Sequence, residues 1–229
     1  MKSVMTHAFS RVPSVDIPRS NYKRAHTHKT TFDAGELIPF LAEEVLPGDT
    51  YKVRSTLFGR LSTPLKPVMD NIKLDTHYFF VPNRLIWENF QKFMGEQDSP
   101  GDSTDFTVPQ IRCKRGSKLT DYLGLPLPSE NSEYLVSALF HRSYNKIWND
   151  WFRDENLQKP ALDYKGDQIR IDELIGVTNS NGDNLSYDVL PRGKRHDYFT
   201  SALPWPQKGN AVSVPIGTTA PVVSDGTFQ

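Results

Sequence analysis

The sequence predicts a mainly β fold with long irregular connections and a few helices. Short segments rich in β-branched and aromatic residues recur between turn signals in the first third of the chain. Seventeen prolines in 229 residues, a fraction above the usual level of about 5%, indicate many connections without regular structure. Only two segments carry apolar residues at helical spacing.

Composition excludes few classes of protein. The 27 basic and 27 acidic residues balance, so no global field favours nucleic acid or acidic lipid. A hydrophobic content of 37% is sufficient for a folded core. Cys113 is the single cysteine, so no intrachain disulfide can form, and we expect a buried, inert thiol. The N-terminus lacks a signal-peptide core, and no apolar run is long enough to span a bilayer, so we expect a cytosolic protein without a membrane partner.

Residues 1–32 form the first predicted unit, an extended basic arm. Its first thirty residues contain six basic residues and one acidic residue, Asp16, while Pro13 and Pro18 disfavour regular structure. Two interpretations remain open: a tail whose charges are solvated, or an arm that contacts phosphate and releases counterions. The second interpretation makes five residues candidates for facing DNA: Arg11, Arg19, Lys23, Arg24 and Lys29.

Residues 33–229 form the second predicted unit, in which strands come first. Residues 37–45 are apolar and then mixed, and Leu46-Pro47-Gly48-Asp49 is a strong turn signal. Residues 51–58 alternate imperfectly, as a half-buried strand would. Two prolines make residues 61–69 an irregular crossing. Residues 74–81 are rich in aromatic and β-branched residues and predict a largely buried strand.

Two helices are predicted within this unit, at about residues 84–94 and 134–154. The first carries an apolar stripe that Gly95 ends. The second places apolar residues at three- and four-residue steps from Val136 to Phe152, with polar residues on the other face. Two interpretations of this second helix remain open: it packs in the core, or it lies at a subunit interface. The residues that would make either contact are Tyr144, Ile147, Trp148, Trp151 and Phe152.

Motifs that carry chemistry are absent from the sequence, so we expect no catalytic site, no cofactor and no enzyme activity. His26 and His28 lack further ligands nearby, so we expect no metal site. Residues 177–188 fit a hairpin turn better than a calcium loop, because Val177 occupies the first ligand position. Residues 192–197 indicate a basic patch for DNA or a neighbouring subunit. His196 and Asp197 point to opposite sides of an extended chain, which disfavours a hydrolytic dyad.

Several long blocks resemble the major capsid proteins of the Microviridae, specifically the gokushovirus branch. The most specific blocks are YNKIWNDWFRDENL at 144–157 and RHDYFTSALPWPQKG at 195–209. Shorter ones are TFDAGEL at 31–37, EVLPGD at 44–49, FGRLSTP at 58–64 and HYFFVPNRL at 77–85. The blocks follow the order of the family.

This resemblance implies the N-terminal part of a viral jelly roll, an antiparallel β-sandwich or barrel of about eight strands with long loop insertions. It also implies self-assembly into an icosahedral shell around circular single-stranded DNA, in the virion and, during assembly, in the host cytoplasm. The implied partners are an internal scaffolding protein, a small basic DNA-binding protein and a minor pilot protein.

Family members are considerably longer, so we expect that the remaining strands are missing from this chain. A different class of function also remains open, a single-stranded-DNA-binding module that uses the arm and aromatic residues without forming shells. Electron microscopy discriminates between these two, because only a capsid protein produces shells or capsomers.

Overall fold

A three-stranded sheet and one helix form the centre of the protein. The structure is a computed structural model, and it describes residues 16–113, 117–126, 128–129, 132–168, 170–171, 187–193, 195–199, 201–203, 209–210 and 217. Strand β1 is Gln110–Cys113, β2 is Tyr134–Ser137 and β3 is Arg170–Ile171, in the order β2-β1-β3. β1 runs antiparallel to β2 and parallel to β3.

Three short helical segments and one longer helix accompany the sheet. A 3-10 turn spans Asn83–Leu85, α1 spans Phe90–Phe93 and α2 spans Lys118–Tyr122. Helix α3 spans Leu139–Ile147 and continues as a π-helical turn over Trp148–Phe152. The backbone becomes extended at Arg153, where this helix ends.

The long helix begins later than predicted. Residues 134–154 were expected to be helical, but residues 134–137 form β2, with Val136 opposite Ile111 of β1. Val136 fits the helical stripe by spacing alone, yet it is β-branched and suits a strand. The backbone N–H of Ala138 donates to the carbonyl of Pro109, which extends the pairing to the start of α3. Pairing across the sheet therefore overrides helical periodicity at this end.

The predicted helix at 84–94 is also divided. The 3-10 turn and α1 are separated by a bend that buries Ile86 and Trp87 completely. The Trp87 indole N–H donates to Asp167 at 2.5 Å, which holds the bend, and Phe93 packs against the Trp87 ring at 5.1 Å. The Gly95 φ of +99° suits a residue without Cβ, and Gly95 follows this segment as predicted.

The three segments predicted as strands before residue 82 are not strands in the structure. Residues 37–45, 51–58 and 74–81 have no assigned strand, and the expectation that 74–81 is largely buried is wrong: Phe80 is 76% exposed and Leu74 56%. A strand requires a hydrogen-bonded neighbour. Among the described residues, only the edge of this region has such a neighbour: Leu37 N–H donates to Leu190 O at 3.0 Å beside the bridge between Glu36 and Pro191.

The core lies between β1, α2 and α3. It contains Ile111, Cys113, Leu119, Ala138, Tyr144, Trp148, Ala161, Tyr187 and Leu190. Cys113 is buried, as the sequence predicted. The described residues are thus largely non-helical around a small sheet, which is consistent with a β-rich fold. None of the described helices is both long and apolar enough to cross a membrane.

Candidate functional site

The basic arm lies exposed along the segment 39–49. Residues 16–30 form neither helix nor strand, and all of them are exposed. Arg24 forms an ion pair of 2.6 Å with Glu43, and Arg19 donates to the carbonyl of Gly48 at 2.8 Å. Both contacts join the arm to its own chain. Two of the five candidate DNA-facing residues therefore already have protein partners.

The other three candidate residues of the arm are Lys23, Lys29 and Arg11. Lys23 and Lys29 are exposed and form no ion pair with any described residue. Arg11 lies outside the described residues. The exposed ammonium groups of Lys23 and Lys29 are accessible to an anion in solution, whereas Arg24 must leave Glu43 to meet one.

A cavity of about 450 Å³ opens between the arm and the body of the protein. Its polar wall includes Arg24, His26, His28 and Glu43, and its apolar wall includes Pro39, Phe40, Leu41 and Leu123. The Tyr122 hydroxyl donates to Thr31 O at 2.9 Å, which holds the end of the arm beside this cavity. Burial, followed by the nearby Glu36 carboxylate, raises the pKa of Tyr122, so the hydroxyl stays protonated and remains a donor.

Sequence reasoning identified the basic arm but missed the opposite wall of the cavity. Phe40 and Glu43 lie in a segment that was interpreted as a strand. Leu123 follows α2, and nothing in the local sequence indicates that it lies beside the arm. The alternation of small, apolar and acidic residues over 39–43 offers no hint of a cavity. Among the described residues, no three metal-ligating side chains lie close enough together to hold a metal ion, and His26 and His28 belong to no such group.

A second basic cluster is held by one carboxylate. Asp75 Oδ2 accepts a hydrogen bond of 2.5 Å from Arg192 and a second bond from Arg195. Hydrogen bonds from Arg195 and Arg192 lower the pKa of Asp75 to about 2, so the carboxylate is ionised at neutral pH. The predicted basic patch at 192–197 therefore serves first as a link to residue 75. Lys194 of that patch lies outside the described residues.

Helix α3 is anchored by two aromatic residues that the sequence singled out. Tyr144 and Trp148 are buried. The Tyr144 hydroxyl donates to Leu37 O and accepts from Leu190 N–H, both at 2.8 Å, and thus joins the two segments of the Glu36–Pro191 bridge. Burial raises the pKa of Tyr144, so its phenol is a permanent donor here.

The C-terminal end of the helix presents aromatic residues to solvent. Trp151 is 72% exposed, while Ile147 and Phe152 are half-buried. Phe79 lies 5.8 Å from the Trp151 ring and 5.9 Å from the Phe152 ring, centroid to centroid. The candidate helix residues therefore divide, with Tyr144 and Trp148 in the core and Trp151 at the surface. An exposed aromatic group of this kind is typical of a contact surface.

Three residues of the polar face of α3 are buried, which the sequence pattern did not predict. His141, Arg142 and Asn145 are all at most 4% exposed. Arg142 donates to the carbonyls of Ile86 and Gly166 at 3.2 and 2.7 Å. The His141 Nε2 lies 3.1 Å from Thr120 Oγ1, and burial lowers the pKa of His141 to about 4. The helix thus packs two faces into the protein, one apolar and one hydrogen-bonded.

The described residues thus present an exposed basic arm, a partly apolar cavity and an exposed aromatic group at the end of the long helix. The chain is similar over residues 10–228 to the family model of the phage capsid protein (F protein). It is 44% identical over 220 residues to capsid protein VP1 of Bdellovibrio phage phiMH2K, covering 94% of this chain and 39% of that protein. The chain belongs to the phage F capsid protein family.

Two further relatives carry the same name. Capsid protein VP1 of Chlamydia phage 1 is 42% identical over 229 residues, covering 94% of this chain and 38% of that protein. Capsid protein VP1 of Spiroplasma virus 4 is 36% identical over 232 residues, covering 95% of this chain and 40% of that protein. The chain therefore spans about two fifths of the length of these relatives. The resemblance to gokushovirus capsid proteins is confirmed.

Proposed function

We propose that this chain is part of the shell of a small icosahedral phage, a structural protein of the virion and not an enzyme. The observation that carries the proposal is the similarity to capsid proteins, which extends from residue 10 to residue 228. The finer fold is a jelly roll with long insertions, of which this chain supplies the N-terminal part. Host cytoplasm is the site of assembly.

Self-association is the first activity of the proposed shell protein. Exposed apolar residues support it, because a large exposed apolar surface marks an interaction site. Residues 51–80 present Val53, Phe58, Leu65, Met69 and Phe80 to solvent, and Trp151 with Phe79 adds an aromatic group at the end of α3. The net charge of zero adds no repulsion between copies at neutral pH.

Contact with circular single-stranded DNA is the second proposed activity, and the arm supplies it from the inside of the shell. Arg11, Arg19, Lys23, Arg24 and Lys29 would neutralise phosphates. An internal scaffolding protein, a small basic DNA-binding protein and a minor pilot protein are the further partners that the family resemblance implies. A module that binds single-stranded DNA without forming shells is the alternative, and the same basic arm favours it.

Electron microscopy tests the proposal on the chain expressed at the full length of a capsid protein, because these 229 residues span about two fifths of the related capsid proteins. A capsid protein should form shell-like particles or capsomers of uniform size. A matched preparation of a Trp151→Ser variant controls for nonspecific aggregation, because amorphous material would survive loss of one exposed ring. Soluble monomers that bind single-stranded DNA and never associate would overturn the capsid function and support the alternative.

A further inference from the structure

The cavity beside the arm combines two kinds of wall that a single ligand must satisfy. Arg24 forms a cationic side beside the polar rings of His26 and His28, and Phe40 and Leu41 form an apolar side with Leu123. A free phosphate would leave the apolar side unused, and a lipid chain would leave the cationic side unused. A flat aromatic group that carries an adjacent phosphate fits both sides, and the volume of about 450 Å³ lies within the roughly 300–1,000 Å³ of small-ligand sites.

We propose that this cavity binds one nucleotide of single-stranded DNA, with its base against Phe40 and Leu41 and its phosphate beside Arg24. The inference rests on the proposed contact between the arm and DNA, and it adds a base-binding site to contacts that otherwise involve phosphate alone. Stacking on protein side chains accepts any base, because every base has an aromatic face. The site therefore raises affinity for single strands without reading sequence.

Glu43 competes with the phosphate for Arg24. The Glu43 side chain is 25% exposed and Arg24 is 64% exposed, so the carboxylate is partly covered by the protein while the guanidinium lies largely in water. Arg24 can therefore turn from Glu43 to a phosphate, and each binding event must break the 2.6 Å ion pair. Glu43 thus sets the affinity of the cavity, and it also holds the arm in place when the cavity is empty.

The first test compares two strands on the unaltered 229-residue chain. Oligodeoxythymidylate and an abasic strand of equal length carry the same phosphates, so they differ only in the bases. We expect the abasic strand to bind at least about fivefold more weakly, the lower end of what loss of one base stack costs. Equal affinity for the two strands would overturn the inference, and it would leave the phosphate contacts of the arm intact.

The second test compares Glu43→Gln with Glu44→Gln, each of which removes one negative charge from the same segment. Glu44 is exposed and forms no ion pair with a described residue. We expect Glu43→Gln to bind oligodeoxythymidylate about two- to fivefold more tightly than Glu44→Gln, the range of a solvent-exposed ion pair. Identical affinities in the two variants would overturn the role of Glu43.

The outcome for the proposed function is separate. Shell-like particles that bind neither strand would overturn both the nucleotide site and the phosphate contacts of the arm, while the capsid function would stand. Far-ultraviolet circular dichroism of each variant controls for folding. The strand comparison needs no variant at all, so it decides the matter even where Glu43→Gln is unstable.

Discussion

The indole N–H of Trp148 donates a hydrogen bond of 2.8 Å to the backbone carbonyl of Pro191. Through this bond the last turns of α3 hold the segment 187–191, whose Tyr187 and Leu190 complete the core. One turn earlier on the helix, the Tyr144 hydroxyl accepts a hydrogen bond from Leu190 N–H and so holds the same segment. The helix therefore holds the segment 187–191 in place at two points, although this segment lies far along the chain.

Trp148→Ala should lower the free energy of unfolding by about 3–5 kcal/mol, because it removes a buried ring and leaves a cavity. Trp148→Phe is the matched control, since it keeps most of the packing and loses the hydrogen bond, at a cost of about 1 kcal/mol. Urea unfolding followed by fluorescence or circular dichroism measures both. An unchanged midpoint for Trp148→Ala would show that the ring does not support the core.

Trp151→Ala should leave the fold almost unchanged, within about 1 kcal/mol, because the ring is mostly in water. Shell formation should be reduced, since the exposed ring and Phe79 form the aromatic surface proposed for contact between copies. Leu157→Ala, at another exposed apolar position, is the control. Particle counts by electron microscopy, beside thermal melts, separate assembly from folding. Normal particle numbers for Trp151→Ala would remove this surface from the interface.

Acidification should destabilise the protein through His141. Burial disfavours the charged imidazole and lowers its pKa from the ordinary 6.5 to about 4 in the fold. The unfolded chain therefore binds the proton first, so stability is complete above pH 6.5 and declines as the pH falls toward 4. The loss should reach about 3 kcal/mol at pH 4.

Urea midpoints at several pH values from 7.5 to 4 measure this effect. His141→Gln is the control, because an amide can still meet Thr120 and does not titrate in this range. The variant should show a flatter pH dependence than the unaltered chain. Parallel pH profiles for the two proteins would contradict the assignment to His141.

Asp75→Asn should release the segment that contains Arg192 and Arg195, since the carboxylate holds both guanidinium groups. Limited trypsin digestion should then cut faster after these two arginines, which mass spectrometry identifies. Asp70→Asn removes the same charge nearby and should not change the cleavage rate, because Asp70 forms no ion pair with a described residue. Equal cleavage in the two variants would mean that other contacts hold the segment.

Replacing Arg11, Arg19, Lys23, Arg24 and Lys29 together by Gln in an assembling full-length protein should flatten the salt dependence of single-strand binding. Five phosphate contacts predict a log–log slope of about −3 to −4 for the unaltered chain, at about −0.7 per contact. Oligonucleotide titrations at several salt concentrations measure the slope, and microscopy checks that shells still form. An unchanged slope would mean that the arm is solvated, and loss of shells with normal DNA affinity would make it a clasp between subunits.

Local signals predicted some features well. Gly95 was expected to end the 84–94 segment, Cys113 to be buried and residues 134–154 to form a helix; the first two hold, and residues 139–152 of the third are helical. The predicted start of the long helix was wrong, because residues 134–137 pair with β1 and form β2 instead. This pairing joins segments more than twenty residues apart, so local sequence does not reveal it. The buried polar face was missed for a similar reason, since the carbonyls of Ile86 and Gly166 that receive Arg142 lie far away in sequence.

The cavity was missed because it joins three separated segments. The excess of basic residues in the arm is evident from the sequence, but only the structure shows that Glu43 and Gly48 are its partners. The strands predicted at 51–58 and 74–81 show the converse. Their residues have the right character for a sheet, yet no described neighbour supplies the backbone hydrogen bonds. Side-chain preference alone does not make a strand.

The bridge between Glu36 and Pro191 places a constraint on the order of events during synthesis. Residues near the start of the chain must wait for residue 191 to leave the ribosome before they can pair, and β1 likewise waits for Arg170 of β3. Loops this long close slowly, because their entropy is lost before native contacts compensate. The core residue Ile111 of β1 would therefore wait seconds for Tyr187 and Leu190, at about 5–20 residues per second. The core of the described residues therefore closes only after residue 190 has been synthesised, and chaperones that bind apolar segments have time to act before then.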